Sequence, residues 1–271
     1  MDDDAVTNAI GWQTRPLCCR YLLVLFETLS IQVEEGGVVR DRTLRWAFGV
    51  LADGQHEVLG AWLGPEACEA TWQEVFDDIK VRGVENIGFV ASSEPATVHP
   101  VLRAAYPSAT SLRSIGQLRA RGLPKLRPRD HEPAANVLRA AGVAAGARAA
   151  QEALAGVAVS RFGPTYPAAV QRWRAAVQQL GPFYAMPPRR RRTMLASEVA
   201  LQQLQRRAGR AIGRHGRFAD GAAATAFVMD ALRHAERRIG LVGASVDVAS
   251  DHRADRASRR NTSFSSGALG L

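Results

Sequence analysis

Cysteine, aromatic residues and long apolar runs are scarce in this sequence. The 271 residues include three cysteines, and this low number excludes a disulfide-stapled scaffold. The aromatic content is 7%. Cys18 and Cys19 are adjacent, a spacing that makes neither a metal motif nor an easy disulfide, and a reducing cytoplasm fits this usage. No run approaches 18 consecutive apolar residues, and the start of the chain has neither an apolar targeting core nor a basic leader. We therefore expect neither a membrane span nor secretion.

Zinc and nucleotide motifs are missing as well. The six histidines are scattered along the sequence, and none stands at ligand spacing from a cysteine or another histidine. No glycine-rich phosphate-binding pattern is found. A zinc centre and a nucleotide-binding loop are therefore not expected.

Positive charge, by contrast, is in excess. Lys and Arg outnumber Asp and Glu by nine, and the sequence pI is about 10.4, which favours a polyanionic partner such as DNA. The apolar content of 46% is enough for a sizeable core at this length. Composition therefore indicates a globular α/β protein with an anionic partner.

The longest apolar run with strand chemistry is RYLLVLFETLSIQV, residues 20–33. Leu22 to Phe26 form an unbroken apolar block, which is typical of a strand covered on both faces. Glu27 follows directly. Because burying an unpaired carboxylate costs several kcal/mol, Glu27 either lies at the sheet surface or belongs to a polar site.

The segments around this run predict the order β-β-β-α-β-α. The turn signal EEGG separates the first strand from a second, and the turn at Asp53-Gly54 separates the second strand from a third. A helix follows, stopped by Gly83, then a strand over Ile87 to Ala91 and a helix after Glu94. This order is typical of a mixed sheet with helices packed on it, and it matches a ribonuclease-H-like core.

The second half of the chain is predicted to be helical. After a basic, turn-prone stretch from residue 116, Ala-rich segments over 136–163 and 166–181 predict helices, whose arginines either line a DNA path or form a solvated face. Arg189 to Arg192 precede a predicted helix over 193–217. A further helix over 221–240 is predicted with these residues toward the core: Phe227, Ala231 and Leu232. Its outer residues are predicted to be Arg233, Glu236 and Arg237.

Several of these segments resemble the catalytic core of Mutator-type bacterial insertion-sequence transposases. They are WQTRPL at 12–17, RYLLVLFETLSIQVEEGG, and GVLADGQHEVLGAWLGPEACEATWQEVFDDIKVRGVENIGFVASS, with weaker similarity through Pro187, Pro188 and Glu198 to about Leu232. The resemblance implies a ribonuclease-H-like α/β fold with an all-helical insertion before the last catalytic helix. The family places a helical domain that recognises the element's ends before this core, and we expect this domain to be missing here because the core begins so early in the sequence.

The resemblance also implies a division of the chain. Residues 1–19 are expected to be an N-terminal linker remnant, 20–115 the first part of the core, and 116–188 the helical insertion. Residues 189–240 are expected to form the C-terminal helices of the core. Residues 241–271, rich in Ser and Arg and without periodicity, are expected to be a disordered tail.

Such transposases resemble one another in an Asp, Asp, Glu trio that binds two Mg²⁺ or Mn²⁺ ions. The first acid falls on Glu27, the second on Ser93 and the third on Glu198, so that the expected metal ligands are Glu27 and Glu198. Serine is a weak Mg²⁺ ligand, and Glu94 is the neighbouring candidate substitute. A Cys or Asp and a His that the family carries after the second acid are replaced by Ser114 and Gln117.

Three functions follow as hypotheses for this chain. The first is a cytoplasmic, transposase-like DNA-binding protein with impaired strand transfer. The second is an active metal-dependent transposase that uses Glu27, Glu94 and Glu198. The third is a non-enzymatic module that forms a homodimer or binds a full-length transposase. The predicted DNA-binding residues are arginines within and just ahead of the helix over 193–217, because cations in rows neutralise phosphates: Arg189, Arg190, Arg191, Arg192, Arg206, Arg207 and Arg210.

Overall fold

The central strand of the sheet, β1, spans Arg20–Glu35, as the apolar run predicts. The structure is a computed structural model that describes residues 11–64, 69–112 and 126–239. Leu25 and Leu29 of β1 pack into one apolar cluster, whereas Val24 and Phe26 pack into a second cluster on the opposite face. Both faces of β1 are therefore covered, which explains its unbroken apolar block.

Two hairpins extend the sheet on one side of β1. Strands β2 (Val38–Val50) and β3 (His56–Gly64) continue it as antiparallel neighbours. Gly36 and Gly37 have φ values of 61° and 80°, a left-handed pair that suits a tight hairpin turn. Gly54 in the next turn has φ 95°. Both predicted turns are confirmed.

The sheet continues on the other side of β1 through parallel strands. Helix α1 (Glu69–Val81) leads to β4 (Asn86–Ser92), and α2 (Pro95–Ala105) leads to β5 (Thr110–Ser111). The strand order is β3-β2-β1-β4-β5, in which β4 pairs parallel with both β1 and β5. The predicted order β-β-β-α-β-α and the mixed α/β sheet are confirmed.

Short helices follow in the chain from residue 128. They are a 3₁₀ turn (Pro128–Asp130), α3 (His131–Val143), α4 (Ala147–Val159), α5 (Phe162–Thr165), α6 (Pro167–Gln178) and α7 (Gly181–Ala185). The Ala-rich stretch over 136–163 is divided between α3 and α4. Arg191 stabilises the bend, because its guanidinium donates hydrogen bonds of 2.8 and 3.2 Å to the carbonyl oxygens of Ala144 and Ala145.

The long helix α8 spans Pro188–His215 and begins five residues before its predicted start. Arg189 to Arg192 therefore lie inside its first turns, and the prediction that they precede the helix is wrong. Proline is favoured at the first helical position because its missing N–H has no partner there in any case. Arginine is a good helix former, so nothing delays the start of the helix.

The last described helix, α9, spans Gly221–Ile239 and confirms the helix predicted over 221–240. It follows β6 (Arg217–Phe218), which pairs with β1. Leu232 is buried, as predicted. Glu236 does not lie outside, however, because its Oε1 accepts a 2.9 Å hydrogen bond from the backbone N–H of Val58 in β3. The backbone N–H groups at the edge of a sheet need hydrogen-bond acceptors. The prediction that Glu236 lies on the outer side of the helix is therefore wrong.

The helices cover opposite faces of the sheet. Trp72 and Phe76 of α1 pack against Phe26 on one side, called the α1 face. Leu201 and Leu204 of α8 belong to the cluster on the other side, called the α8 face, together with residues of α9. In the described part of the chain, no helix combines the length and apolar character that a membrane span requires.

Some predictions fall outside the described residues. They concern residues 1–10, the predicted tail at 241–271, and the segment that contains Ser114, Gln117 and the boundary between 115 and 116. The predicted division into domains therefore stays a prediction.

The half-buried Glu236 predicts a pH-dependent stability. Burial raises the pKa of Glu236 to about 7, from an ordinary value of 4.5, so between these values the folded state binds more protons than the unfolded state. Stability is therefore highest below the unfolded pKa and falls as pH rises toward and above 7, by about 2 kcal/mol. Urea unfolding at pH 5 and pH 8 measures this difference.

Glu236→Gln keeps the acceptor for Val58 and removes the charge, so we expect it to flatten this decline. Glu132 is an exposed residue of α3, and Glu132→Gln is the matched control. It is expected to leave the decline of stability with pH in place. An equally steep decline in Glu236→Gln would contradict the assignment to Glu236.

Candidate functional site

Glu27 lies in β1, and Ser93 directly follows the last residue of the neighbouring parallel strand β4. Phe26 of β1 pairs with Ser92 of β4, and the backbone N–H of Ser93 donates a 3.0 Å hydrogen bond to the carbonyl oxygen of Phe26. Ser93 is therefore the cross-strand neighbour of Glu27. Because side chains alternate between the faces of a sheet, both positions belong to the same face. For Glu27 this is the face of Leu25 and Leu29, the α8 face.

Gln205 fixes helix α8 over this part of the sheet. Its Oε1 accepts a 2.9 Å hydrogen bond from the indole Nε1 of Trp46, and its Nε2 donates a 2.7 Å hydrogen bond to the carbonyl oxygen of Thr28. Trp46 is the antiparallel partner of Glu27 in β2. The helix is therefore tied to the sheet at the level of Glu27.

Glu198 stands two helical turns before Gln205 on the same stripe of α8. Residues three and seven positions apart share a helix face, so Glu198, Leu201 and Gln205 all point toward the sheet. Leu201 is 5% exposed, and Glu198 is half-buried. The third position of the predicted trio therefore faces the side of the sheet that carries the first two.

A second anchor lies next to Glu198. Ser197 is fully buried, and its Oγ donates a 2.8 Å hydrogen bond to the carbonyl oxygen of Thr193. Nε2 of His56 lies 2.8 Å from the same Oγ. Because the hydroxyl proton is already donated to Thr193, the imidazole N–H donates to Ser197. Burial lowers the pKa of His56, which favours the neutral ring. This contact fixes the rotation of α8 at the turn that presents Glu198.

The ligands that this site offers do not fit a pair of divalent cations. Two carboxylates, Glu27 and Glu198, and the hydroxyl of Ser93 compensate only half of the charge of two such ions, and hard cations prefer carboxylate oxygen. Among residues 11–64, 69–112 and 126–239, no group of three or more His, Cys, Asp or Glu side chains is placed to hold a metal ion.

Glu94 lies on the opposite face of the sheet. Its Oε2 accepts a 2.9 Å hydrogen bond from Nε of Arg45 and a 3.2 Å hydrogen bond from the indole Nε1 of Trp72. Arg45 is fully buried, and its guanidinium lies 5.5 Å from the centre of the Trp72 ring. The structure therefore places Glu94 in an ion pair on the α1 face and does not bring it together with Glu27 and Glu198.

Sequence reasoning overlooked this ion pair. The available signal was Arg45 itself, a charge in the middle of the apolar strand segment LRWAFGV. A buried guanidinium needs an acidic partner.

Helix α8 also carries all seven predicted DNA-binding residues. It has eight arginines and one carboxylate, Glu198. Arg191 is half-buried and holds the bend between α3 and α4. Four exposed arginines fall along one flank of the helix, at spacings that keep them within about a third of its circumference: Arg192, Arg206, Arg210 and Arg214. Exposed Arg189 and Arg190 lie near its start, and half-buried Arg207 borders the flank.

Comparisons with known proteins agree with this architecture. Residues 3–238 match the model of the transposases of the Mutator family. A probable transposase for an ISRM3-like insertion sequence of Sinorhizobium fredii is 31% identical over 79% of this chain and 54% of its own length. The ISRM3 transposase of Rhizobium meliloti is 30% identical over the same shares of both chains.

A probable insertion-sequence transposase of Corynebacterium diphtheriae is 25% identical over 82% of this chain and 64% of its own length. The chain thus spans about half the length of the two rhizobial relatives. Because the family model covers nearly the whole sequence, the chain belongs to the Mutator family of transposases.

Proposed function

We propose that this chain is a DNA-binding member of its transposase family whose strand-transfer chemistry is impaired. The observation that carries the proposal is the place of Ser93. It lies beside Glu27, on the face that α8 covers with Glu198. The position that should supply the second carboxylate supplies a hydroxyl instead.

The fold proposed for this core is ribonuclease-H-like. Three antiparallel strands precede two parallel ones, in the order β3-β2-β1-β4-β5. The three positions of the trio come from the middle of β1, the carboxyl end of β4 and a late helix. The helices from 131 to 185 stand between the second and third positions in the chain, which supports the proposed insertion.

An active site built from Glu27, Glu94 and Glu198 is less well supported. The Glu94 carboxylate would have to leave Arg45 and Trp72 and cross to the other face of the sheet. Leaving Arg45 would weaken the compensation of a fully buried cation, which typically costs several kcal/mol. We therefore favour impaired chemistry over an altered trio.

The proposed DNA surface is the exposed flank of α8. Arg192 and Arg206 are 14 residues apart, or about 21 Å along a helix, so the flank presents two basic regions. Each phosphate that is neutralised releases counterions and adds affinity without sequence preference. Since bacterial DNA lies in the cytoplasm, the proposed location of this chain is the cytoplasm. A homodimer or a complex with a full-length transposase stays a prediction.

A variant with Arg206, Arg210 and Arg214 changed to Gln tests the DNA surface. Each lost phosphate contact lowers the slope of log K against log salt by about 0.9 on duplex DNA, so we expect the slope to decrease by about 3. Fluorescence anisotropy with a labelled duplex over a range of KCl concentrations measures it.

A variant with the same charge loss elsewhere is the control. Arg40, Arg103 and Arg139 are exposed and lie outside α8, so changing them to Gln should leave the slope within about one unit of the natural chain. Equal losses in both variants would point to net charge alone. An absence of DNA binding by the natural chain would overturn the proposal.

A further inference from the structure

An exposed ring stands at the end of the basic helix. His215 is the last residue of α8 and is exposed. Its imidazole stacks on Phe218, with ring centroids 4.2 Å apart and an interplanar angle of 10°. Phe218 itself is 1% exposed. The imidazole is therefore held flat against a fixed phenyl ring of the core.

Phe218 and Phe227 leave the second face of the His215 ring uncovered. The centroid of Phe227 lies 4.5 Å from that of His215 and 5.3 Å from that of Phe218. If Phe227 lay on the opposite face from Phe218, the two phenyl rings would be much farther apart than 5.3 Å. Phe227 therefore meets the edge of the imidazole, which fixes the ring sideways and leaves one face uncovered by either phenylalanine.

The chain around His215 has little side-chain bulk. Gly213 lies two residues before His215 and Gly216 follows it directly, and a Cβ atom added at either glycine would meet nothing within 4 Å. Gly216 also has φ 82°, which ends the helix at the ring. Because His215 itself is exposed, its ring is within reach of a flat ligand.

Three exposed arginines lie within five residues of His215 in the chain. Arg210, Arg214 and Arg217 are exposed, and the side chain of Arg214 folds back so that its Nε lies 3.4 Å from the carbonyl oxygen of Arg210. A flat aromatic platform among arginines is suited to a nucleobase on the ring with its phosphates on the cations, because every base has a π-face.

We infer that His215 is a stacking platform for an unpaired nucleobase of a bound DNA strand. The inference rests on the proposed DNA-binding function and names the kind of substrate: a duplex with a single-stranded extension or gap. In a fully paired duplex every base face except those of the two terminal pairs is covered by a neighbouring base, so the duplex uses the platform far less than an unpaired strand does.

Competition between two DNA substrates tests the inference. A blunt duplex and the same duplex with a single-stranded extension of thymines are titrated with the full chain by fluorescence anisotropy. We expect the natural chain to bind the extended duplex about tenfold more tightly. His215→Phe should keep this ratio, because a phenyl ring can stack in the same place. His215→Ala should bring the ratio close to one.

The outcomes separate the inference from the proposed function. Circular dichroism of both variants checks that the helix is intact. Equal binding of the two substrates by the natural chain, or an unchanged ratio in His215→Ala, would overturn the platform while leaving DNA binding in place. If neither substrate binds, the proposed function itself fails, and the inference fails with it.

Discussion

Ser93→Asp is expected to create divalent-cation binding in this chain. The new carboxylate would lie beside Glu27 and on the face that Glu198 approaches from α8. A third carboxylate oxygen ligand raises both the negative charge and the number of ligands, and we expect Mn²⁺ to bind about a hundredfold more tightly than to the natural chain. Isothermal titration calorimetry measures the change.

Ser93→Asn is the matched control, because it has nearly the size of aspartate without its charge. It should leave Mn²⁺ binding close to that of the natural chain. The double variant Ser93→Asp with Glu198→Gln should lose the gain, since it removes a ligand on the facing helix. Tight binding of two ions by the natural chain would show that the site is not impaired.

Glu94→Gln is expected to destabilise the fold by about 3 kcal/mol. The substitution keeps the size of the side chain but removes the negative charge that pairs with the fully buried Arg45. Removing one partner of a buried ion pair has a cost of this order because the other charge stays buried. The melting temperature should fall by several degrees, as measured by circular dichroism.

Two variants make this result specific. Glu85→Gln changes an exposed carboxylate and should shift stability by less than about 0.5 kcal/mol. Arg45→Met combined with Glu94→Gln should recover much of the loss, because the buried cation is then gone. A stable Glu94→Gln variant with weakened Mn²⁺ binding would instead identify Glu94 as a metal ligand.

The sequence predicts most of the sheet because its signals are local. Each signal acts over a few residues: the apolar block before Glu27, the glycine turns and the stop at Gly83. The strands and helices between residues 20 and 105 lie where these signals predict. The strands β5 and β6 have two residues each, too few to show any period. Their pairing depends on neighbours that are distant in sequence.

The candidate site is predicted less completely, because its geometry depends on long-range contacts. The resemblance identifies Glu27, Ser93 and Glu198, but only the register of β1 with β4 shows that two of these positions are neighbours. The partner of Arg45 lies 49 residues away in the chain. The inward turn of Glu236 likewise depends on an edge N–H of β3, which no local pattern on α9 reveals.

The separation of the two faces of the sheet bears on how such a protein can change over generations. The ion pair and aromatic packing that stabilise the carboxyl end of β4 lie on one face, whereas Ser93, at the position where the resemblance implies an acid, lies on the other. A serine at 93 removes a like charge from beside Glu27, and this relieves repulsion in the fold. Under the proposed function, a loss of the acid at position 93 is nearly neutral for folding, so such a chain can persist with its arginine helix intact.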